Sequence, residues 1–280
     1  MPLLFIVLRL ICLVCVLSAP VTAQPALRPL NFIYGPDPLQ KLDVYLPPHT
    51  RNAPILFLVH GGGWRFGDKS DAATWRHKAE HWTKRGAVVV STNYRLLPAV
   101  APLEQARDVA RALAFVQKKA PLWGAEPQRL VMMGHSAGGH LTALLSADPA
   151  LAWAEGAQAW LASVVLDSAA LNVPAIMQTT PSYFHQQAFG PDAAIWAAAS
   201  PYDRLTPVAP PILLVCSTRR SQSCPQADGF AAQLSSLGGT AQVLPLPLSH
   251  RSVNEQLGLH PDYTDAIDSF LTKVGFWSHP

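Results

Sequence analysis

A chain of 280 residues that is 49% hydrophobic and only 14% charged has material for one large core and is short for two domains. A formal net charge of +3, with Arg219-Arg220 an isolated pair, excludes an electrostatic nucleic-acid surface. Its 26 prolines are scattered, and no repeat or low-complexity tract interrupts the chain.

Residues 1–23 stand apart. Arg9 is their only charged side chain, Leu10 to Leu17 is apolar, and the small residues Val21 and Ala23 precede an expected cleavage point before Gln24. This reads as a secretory signal peptide (1–23) followed by one domain (24–280), with an uncleaved anchor as the alternative. The apolar span is short for a bilayer, so no stable membrane span is expected after cleavage. Neither Cys12 nor Cys15 follows the small residue that a lipoprotein signal needs. The expected location is secreted or periplasmic.

Beyond it, residues 31–46 alternate about Gly35-Pro36-Asp37-Pro38, the pattern of an antiparallel pair at a sheet edge. Ile55 to Val59 is continuously apolar, a strand covered on both faces, and it ends in His60-Gly-Gly-Gly-Trp64. A helix-compatible stretch (71–85) leads to a second buried strand from Ala87 to Asn93. Across 102–119, Leu103, Ala106, Val109, Ala110, Leu113 and Val116 share one helical face. Leu130 to Met133 is the next strand, followed by Gly134-His-Ser-Ala-Gly138 and a helix through Leu145. Ala162 to Asp167 is another strand. Residues 172–205 carry aromatics but no strong period and read as an excursion lying over the sheet. Ile212 to Cys216 is a strand, Ala227 to Leu237 a helix closed by Gly238-Gly239, and Gln242 to Pro245 the last strand. Tyr263, Ile267, Phe270, Leu271 and Val274 mark a terminal helix. Alternating strands and helices predict an α/β fold with a mostly parallel, doubly wound sheet whose loops hold the chemistry. Without the leader two cysteines remain. In an oxidising compartment Cys216 and Cys224 read as a disulfide closing a short loop, with two buried thiols as the alternative.

The chemistry gathers at Gly134-His-Ser-Ala-Gly138. A strand, a tight turn with small neighbours and a helix are the context of a nucleophile elbow, which would expose Ser136 and direct the Ala137 N–H at an oxyanion. The glycines after His60 would let the N–H groups of Gly62 and Gly63 approach the same oxygen. His250, past the last strand, sits where the base of such a triad belongs. His135 is expected to point away from the serine, His60 to serve its own loop, and His140 to lie one turn into the helix.

His60-Gly-Gly-Gly-Trp-Arg-Phe-Gly-Asp68, Asn93-Tyr-Arg-Leu96, Gly134-His-Ser-Ala-Gly-Gly139 and a late histidine together resemble the α/β-hydrolase superfamily. The pattern is similar to its esterase/lipase branch, which includes hormone-sensitive-lipase-like carboxylesterases, bacterial feruloyl esterases and kynurenine formamidases. The resemblance covers roughly residues 39–274. It implies an α/β-hydrolase fold with flanking helices and a short cap-like excursion. It further implies hydrolysis of a small-molecule carboxylic ester through an acyl-enzyme, without metal or organic cofactor. Gly62, Gly63 and Ala137 match the family's oxyanion residues, and Asn93-Tyr94-Arg95 would buttress the oxyanion loop.

One element departs from the pattern. The family's acid usually follows the strand that here ends at Cys216, yet the loop 217–223 holds no carboxylate, and Gln222 stands about where relatives carry Asp. Asp167 is the preferred substitute, since some lipases place their acid after that strand; a buried structural carboxylate is the other reading. Asp228 ranks second, while Asp203 and Asp192 lie in the excursion. The disulfide would hold Gln222 or its neighbours behind His250. Trp64, Tyr183, Phe184 and Trp196 are expected to line an acyl or aryl pocket, with core packing as the alternative for each. Short-chain or aryl esters fit the short excursion. An amidase or formamidase using the same site, or a degenerate hydrolase that binds an acyl compound without turnover, are the alternatives.

Overall fold

The computed structural model describes residues 27–179 and 181–277; the expected signal segment and its cleavage point lie outside them. The strands are β1 (Leu30–Ile33), β2 (Lys41–Tyr45), β3 (Ala53–Val59), β4 (Val88–Thr92), β5 (Ala125–His135), β6 (Ala162–Leu166), β7 (Ile212–Ser217) and β8 (Ala241–Leu246). The helices are α1 (Ala72–Lys84), α2 (Pro102–Lys119), α3 (Ala137–Ala147), α4 (Ala150–Trp153), α5 (Val173–Met177), α6 (Tyr183–Phe189), α7 (Ala193–Ala198), α8 (Ser223–Ser236), α9 (His250–Glu255) and α10 (Pro261–Lys273).

Among the described residues one eight-stranded sheet forms in the order β1-β2-β4-β3-β5-β6-β7-β8. Every neighbouring pair from β4 to β8 is parallel, while β1 and β2 add an antiparallel edge. The chain winds outward from β3 to β4, then returns to the other side of β3 and proceeds from β5 to β8. The loops after β3 and β5 therefore diverge, and the crevice opened at such a reversal is where doubly wound sheets hold their ligands.

The continuous apolar runs follow from burial on both faces. Along β3, Ile55, Phe57 and Val59 pack with Leu113 of α2 and Leu141 and Leu144 of α3. Their alternates Leu56 and Leu58 pack on the opposite face with Trp82 of α1 and Ile267 and Phe270 of α10. Each such side chain contributes about 1.5–3 kcal/mol on burial. Helix α2 keeps the expected span, with Pro102 in its first turn.

The excursion contains three short helices, each begun by a side-chain cap. Asn172 accepts from the Ala175 N–H, Ser182 and His185 form a reciprocal capping box, and Asp192 accepts from the Ala194 N–H. Helices of five to seven residues are too short to show a period.

Close approach fixes where α3 starts. A Cβ on Gly138 would lie 2.3 Å from the carbonyl oxygens of both Val59 and His60, and one on Gly134 would lie 2.2 Å from the Gly138 oxygen. The first turn of α3 thus presses against the end of β3. Gly138→Ala is expected to lower the unfolding free energy by at least about 2 kcal/mol; a wild-type urea midpoint in that variant would contradict the packing account.

Candidate active site

Ser136 links β5 to α3 at φ 55° and ψ −117°, a strained backbone for a residue with a side chain. Its N–H donates to the Leu166 carbonyl (2.9 Å), and its own carbonyl accepts the His140 N–H (2.9 Å). These bonds tie the turn to β6 and to α3, leaving the hydroxyl at the cavity.

His250, the first residue of α9, faces that hydroxyl. Its Nε2 is 2.9 Å from Ser136 Oγ and its Nδ1 is 2.6 Å from Asp167 Oδ2. A proton on Nδ1 satisfies the carboxylate and leaves Nε2 free to accept from the serine. Asp167 follows β6 at φ 51°, is fully buried, and donates its N–H to Val215 (2.7 Å). Its Oδ1 accepts from the Ser217 N–H (2.8 Å) and the Ser223 hydroxyl. Its Oδ2 accepts from His250 and from Arg220 Nη1 (2.8 Å). Burial pushes this carboxyl up, but the bonds from His250, Ser223 and Ser217 and the Arg220 charge outweigh it and hold the group well below the usual carboxylate range. Asp167 thus accepts loop donors and also bonds His250.

The other carboxylates and Gln222 lie elsewhere. Gln222 is exposed just before α8 and makes no hydrogen bond to His250; Asp228 and Asp203 are exposed, and Asp192 caps α7. From the loop after β7, Arg220 joins Ser217 and Ser223 at the site, its Nη1 lying 3.0 Å from His250 Nδ1. Cys216 and Cys224 are joined in a disulfide, with Cα atoms 5.1 Å apart.

His135 corrects the expectation that it points away. Its Nε2–H donates to the His250 carbonyl (3.0 Å), its ring centroid is 4.5 Å from that of His250, and it lines the cavity. The first residue of α9 brings its carbonyl to the end of β5. Burial pushes the His135 imidazole down to about 3, so the ring stays neutral.

Gly62 (φ 119°) and Gly63 (φ 60°) line the cavity together with Ala137. Ala137 opens α3, where N–H groups have no intrahelical acceptor. Among the described residues, none of these three N–H groups donates to a protein acceptor. The loop is propped as the motif implied at two of three positions. Asn93 accepts the Lys69 N–H (2.5 Å) and donates to Asp68 (2.6 Å), and the Tyr94 hydroxyl donates to the His60 carbonyl (3.0 Å). Arg95 instead pairs with the buried Asp108 of α2 (2.7 Å). A further relay crosses the site: Trp64 Nε1 donates to His140 Nδ1 (3.1 Å), leaving Nε2–H to donate to the Ala199 carbonyl (2.8 Å). Burial pushes His140 down to about 4, consistent with a neutral ring of one tautomer.

The cavity measures about 550 Å³. Trp64 and Phe184 line it; Tyr183 and Trp196 do not. Tyr183 is 61% exposed beside Phe184, and Trp196 turns its Nε1–H onto the Gly190 carbonyl (2.8 Å) and packs on the core. Phe66, His185 and Arg220 line the cavity without having been singled out from the sequence. Phe66 lay within the quoted glycine motif, Arg220 stood out only as half of the Arg219-Arg220 pair, and His185 had no local signal. Among the described residues no group of three or more His, Cys, Asp or Glu is placed to hold a metal ion, and no helix is long and apolar enough to cross a membrane.

Residues 42–163 match the BD-FAE family. A probable isoprenylcysteine alpha-carbonyl methylesterase of Oryza sativa is 28% identical over 160 residues, which is 56% of this chain and 38% of that protein. Carboxylesterase NlhH of Mycobacterium tuberculosis is 34% identical over 135 residues, 46% of this chain and 41% of its own length. The chain spans no more than about two fifths of the length of these curated relatives. Esterase 2 of Thermogutta terrifontis superposes with a TM-score of 0.72 at 21% identity, over 91% of this chain and 94% of that one. The same esterase is known phosphoramylated by tabun. At this identity the likeness is one of fold, and the fold is that of the α/β-hydrolases.

Helix α9 is anchored from α1. The buried Lys78 ammonium donates to the Asn254 carbonyl (2.6 Å), the Asn254 side chain (2.9 Å) and the Ala73 carbonyl (3.0 Å). Burial pushes this amine from 10.5 down to about 7, with the Glu255 charge opposing it. Between those values the unfolded chain binds a proton that the folded one releases, so stability rises with pH across that window. Below about 7 both states are charged and the folded state bears the full desolvation penalty. Lys78→Met is expected to flatten this rise, read from urea unfolding at several pH values; an unaltered slope would refute it.

Proposed function

We propose that this chain, which belongs to the esterase/lipase family of α/β-hydrolases, is a serine hydrolase that cleaves small carboxylic esters through an acyl-enzyme. The observation that carries this reading is the hydrogen-bonded line from Ser136 Oγ to His250 Nε2 (2.9 Å) and from His250 Nδ1 to Asp167 (2.6 Å).

On this reading Ser136 Oγ attacks the ester carbonyl while His250 Nε2 takes its proton, and Asp167 stabilises the imidazolium. The N–H groups of Gly62, Gly63 and Ala137 receive the negative oxygen. Collapse of the tetrahedral intermediate breaks the bond to the leaving alkoxide, which departs as the alcohol with the proton held by His250. Water then repeats the sequence on the acyl-serine and releases the acid. Trp64, Phe66 and Phe184 around a cavity of about 550 Å³ suit short-chain or aryl esters. The esterase names of the relatives support ester over amide, although a formamide or amide would meet the same groups; matched ester and amide substrates separate the two.

A non-catalytic acyl binder drew its support from the missing acid after β7. The bond between Asp167 and His250 supplies the carboxylate from the adjacent strand and removes that motive. Secretion or residence in the periplasm is supported by the leader-like composition of residues 1–23 and by the disulfide.

A fluorophosphonate should label Ser136 stoichiometrically and leave Ser136→Ala unlabelled. Asp167→Asn should lower kcat by about 10⁴, the scale of that change in a triad protease, whereas Gln222→Asp should leave it unchanged. Full activity in Asp167→Asn would sink this assignment of the acid.

A further inference from the structure

The donors that hold Asp167 come almost entirely from one short loop. The Ser217 N–H (2.8 Å) and the Ser223 hydroxyl reach Oδ1. Arg220 Nη1 reaches Oδ2 (2.8 Å) and also the backbone carbonyl of the same aspartate (2.9 Å). All three residues lie between Cys216 and Cys224, which the disulfide joins. The loop also grips the segment that delivers the base: Ser217 Oγ donates to Leu248 O (2.5 Å) and the Thr218 N–H to Leu246 O (2.9 Å).

We propose that the disulfide-closed loop 217–223 aims an acid carried on β6, with Arg220 as the positioning residue; this rests on the Ser136–His250–Asp167 reading above. One guanidinium nitrogen bonds both the carbonyl and the carboxylate of Asp167 and so closes a ring around that residue. The ring sets the direction in which the carboxylate leaves a left-handed backbone. Charge alone would argue against an arginine here. When His250 takes the serine proton, two cations share one carboxylate, so the guanidinium opposes the imidazolium it sits beside. Its contribution to catalysis is therefore geometric, and the disulfide keeps the loop from withdrawing it.

The test uses the full chain and p-nitrophenyl acetate, comparing wild type with Arg220→Met, Arg220→Lys and wild type reduced by dithiothreitol, with Asp167→Asn in parallel. Arg220→Met is expected to lower kcat about 10- to 100-fold, the scale of a misplaced catalytic group, with KM within about twofold. Arg220→Lys should recover most of it, because an ammonium can still donate to both oxygens. Reduction should lower kcat in a protein whose circular dichroism is unchanged. A kcat in Arg220→Met at or above wild type overturns the proposal, since charge would then outweigh geometry; so does a loss confined to KM, or a lysine variant no better than methionine. If Arg220→Met does not fold, the reduced wild type decides, and unchanged turnover there overturns it. Unfolding in every case also overturns it, because the loop would then serve the fold and not the acid. Full activity in Asp167→Asn would instead bring down the triad reading itself.

Discussion

A carboxylate sealed from solvent must collect donors or lose its charge, and Asp167 is such a group. Its oxygens meet a backbone N–H, a hydroxyl, a guanidinium and an imidazole. The imidazole bond is the largest of these and the other three add to it, so the carboxyl is held well below the usual carboxylate range, and on the proposed reading its charge is present before any proton moves. Preorganisation of this kind avoids the cost of reorienting solvent at the moment of reaction. It also explains why a non-glycine residue tolerates φ 51° at the end of β6: the surrounding bonds offset a strain of order 1–3 kcal/mol.

The sheet supplies the frame in which those bonds matter. Parallel pairing of β3, β5, β6 and β7 brings their carboxyl ends to one edge, and each contributes one element of the site. On the proposed reading, the oxyanion loop follows β3, the nucleophile β5, the acid β6 and the arginine β7. Cross-links then join these loops above the sheet. Trp64 and His140 connect the oxyanion loop, through α3, to the excursion at Ala199, while His135 and Lys78 hold α9 at its two ends. Neutral histidines of fixed tautomer suit that task, because burial removes their titration from the working range.

The strands and long helices were legible because burial on two faces writes continuous apolar runs and a 3.6-residue stripe into the chain; Ile55 to Val59 and residues 102–119 are examples. Strand β5 starts at Ala125, before its apolar run; Glu126 to Arg129 are polar or proline and not buried, so hydrophobicity does not mark them as strand. Helix α9 escaped notice for its brevity, and with it the carbonyl that holds His135. Ser136, His250 and the glycines were readable as local motifs. Arg220 was not: it stood out only as a member of a charged pair, and its meaning depends on a carboxylate 53 positions away in sequence. Tyr183 and Trp196 show the converse limit, since composition marks an aromatic residue but not the side of a short helix it occupies.

The position of the acid follows from this same geometry. The Ser136 N–H donates to Leu166 O, the residue immediately before Asp167, so the proposed nucleophile and acid are one peptide apart across a strand-to-strand hydrogen bond. An acid on β7 would be separated from the elbow by a further strand. Carrying it on β6 shortens the rigid path between the two groups, but it leaves the carboxylate under the loop that follows β7. A second carboxylate aimed at His250 from that loop would repel Asp167, and the loop gains from presenting donors. A serine N–H, a hydroxyl and an arginine therefore stand where a carboxylate was expected, and all three bond the aspartate one strand over.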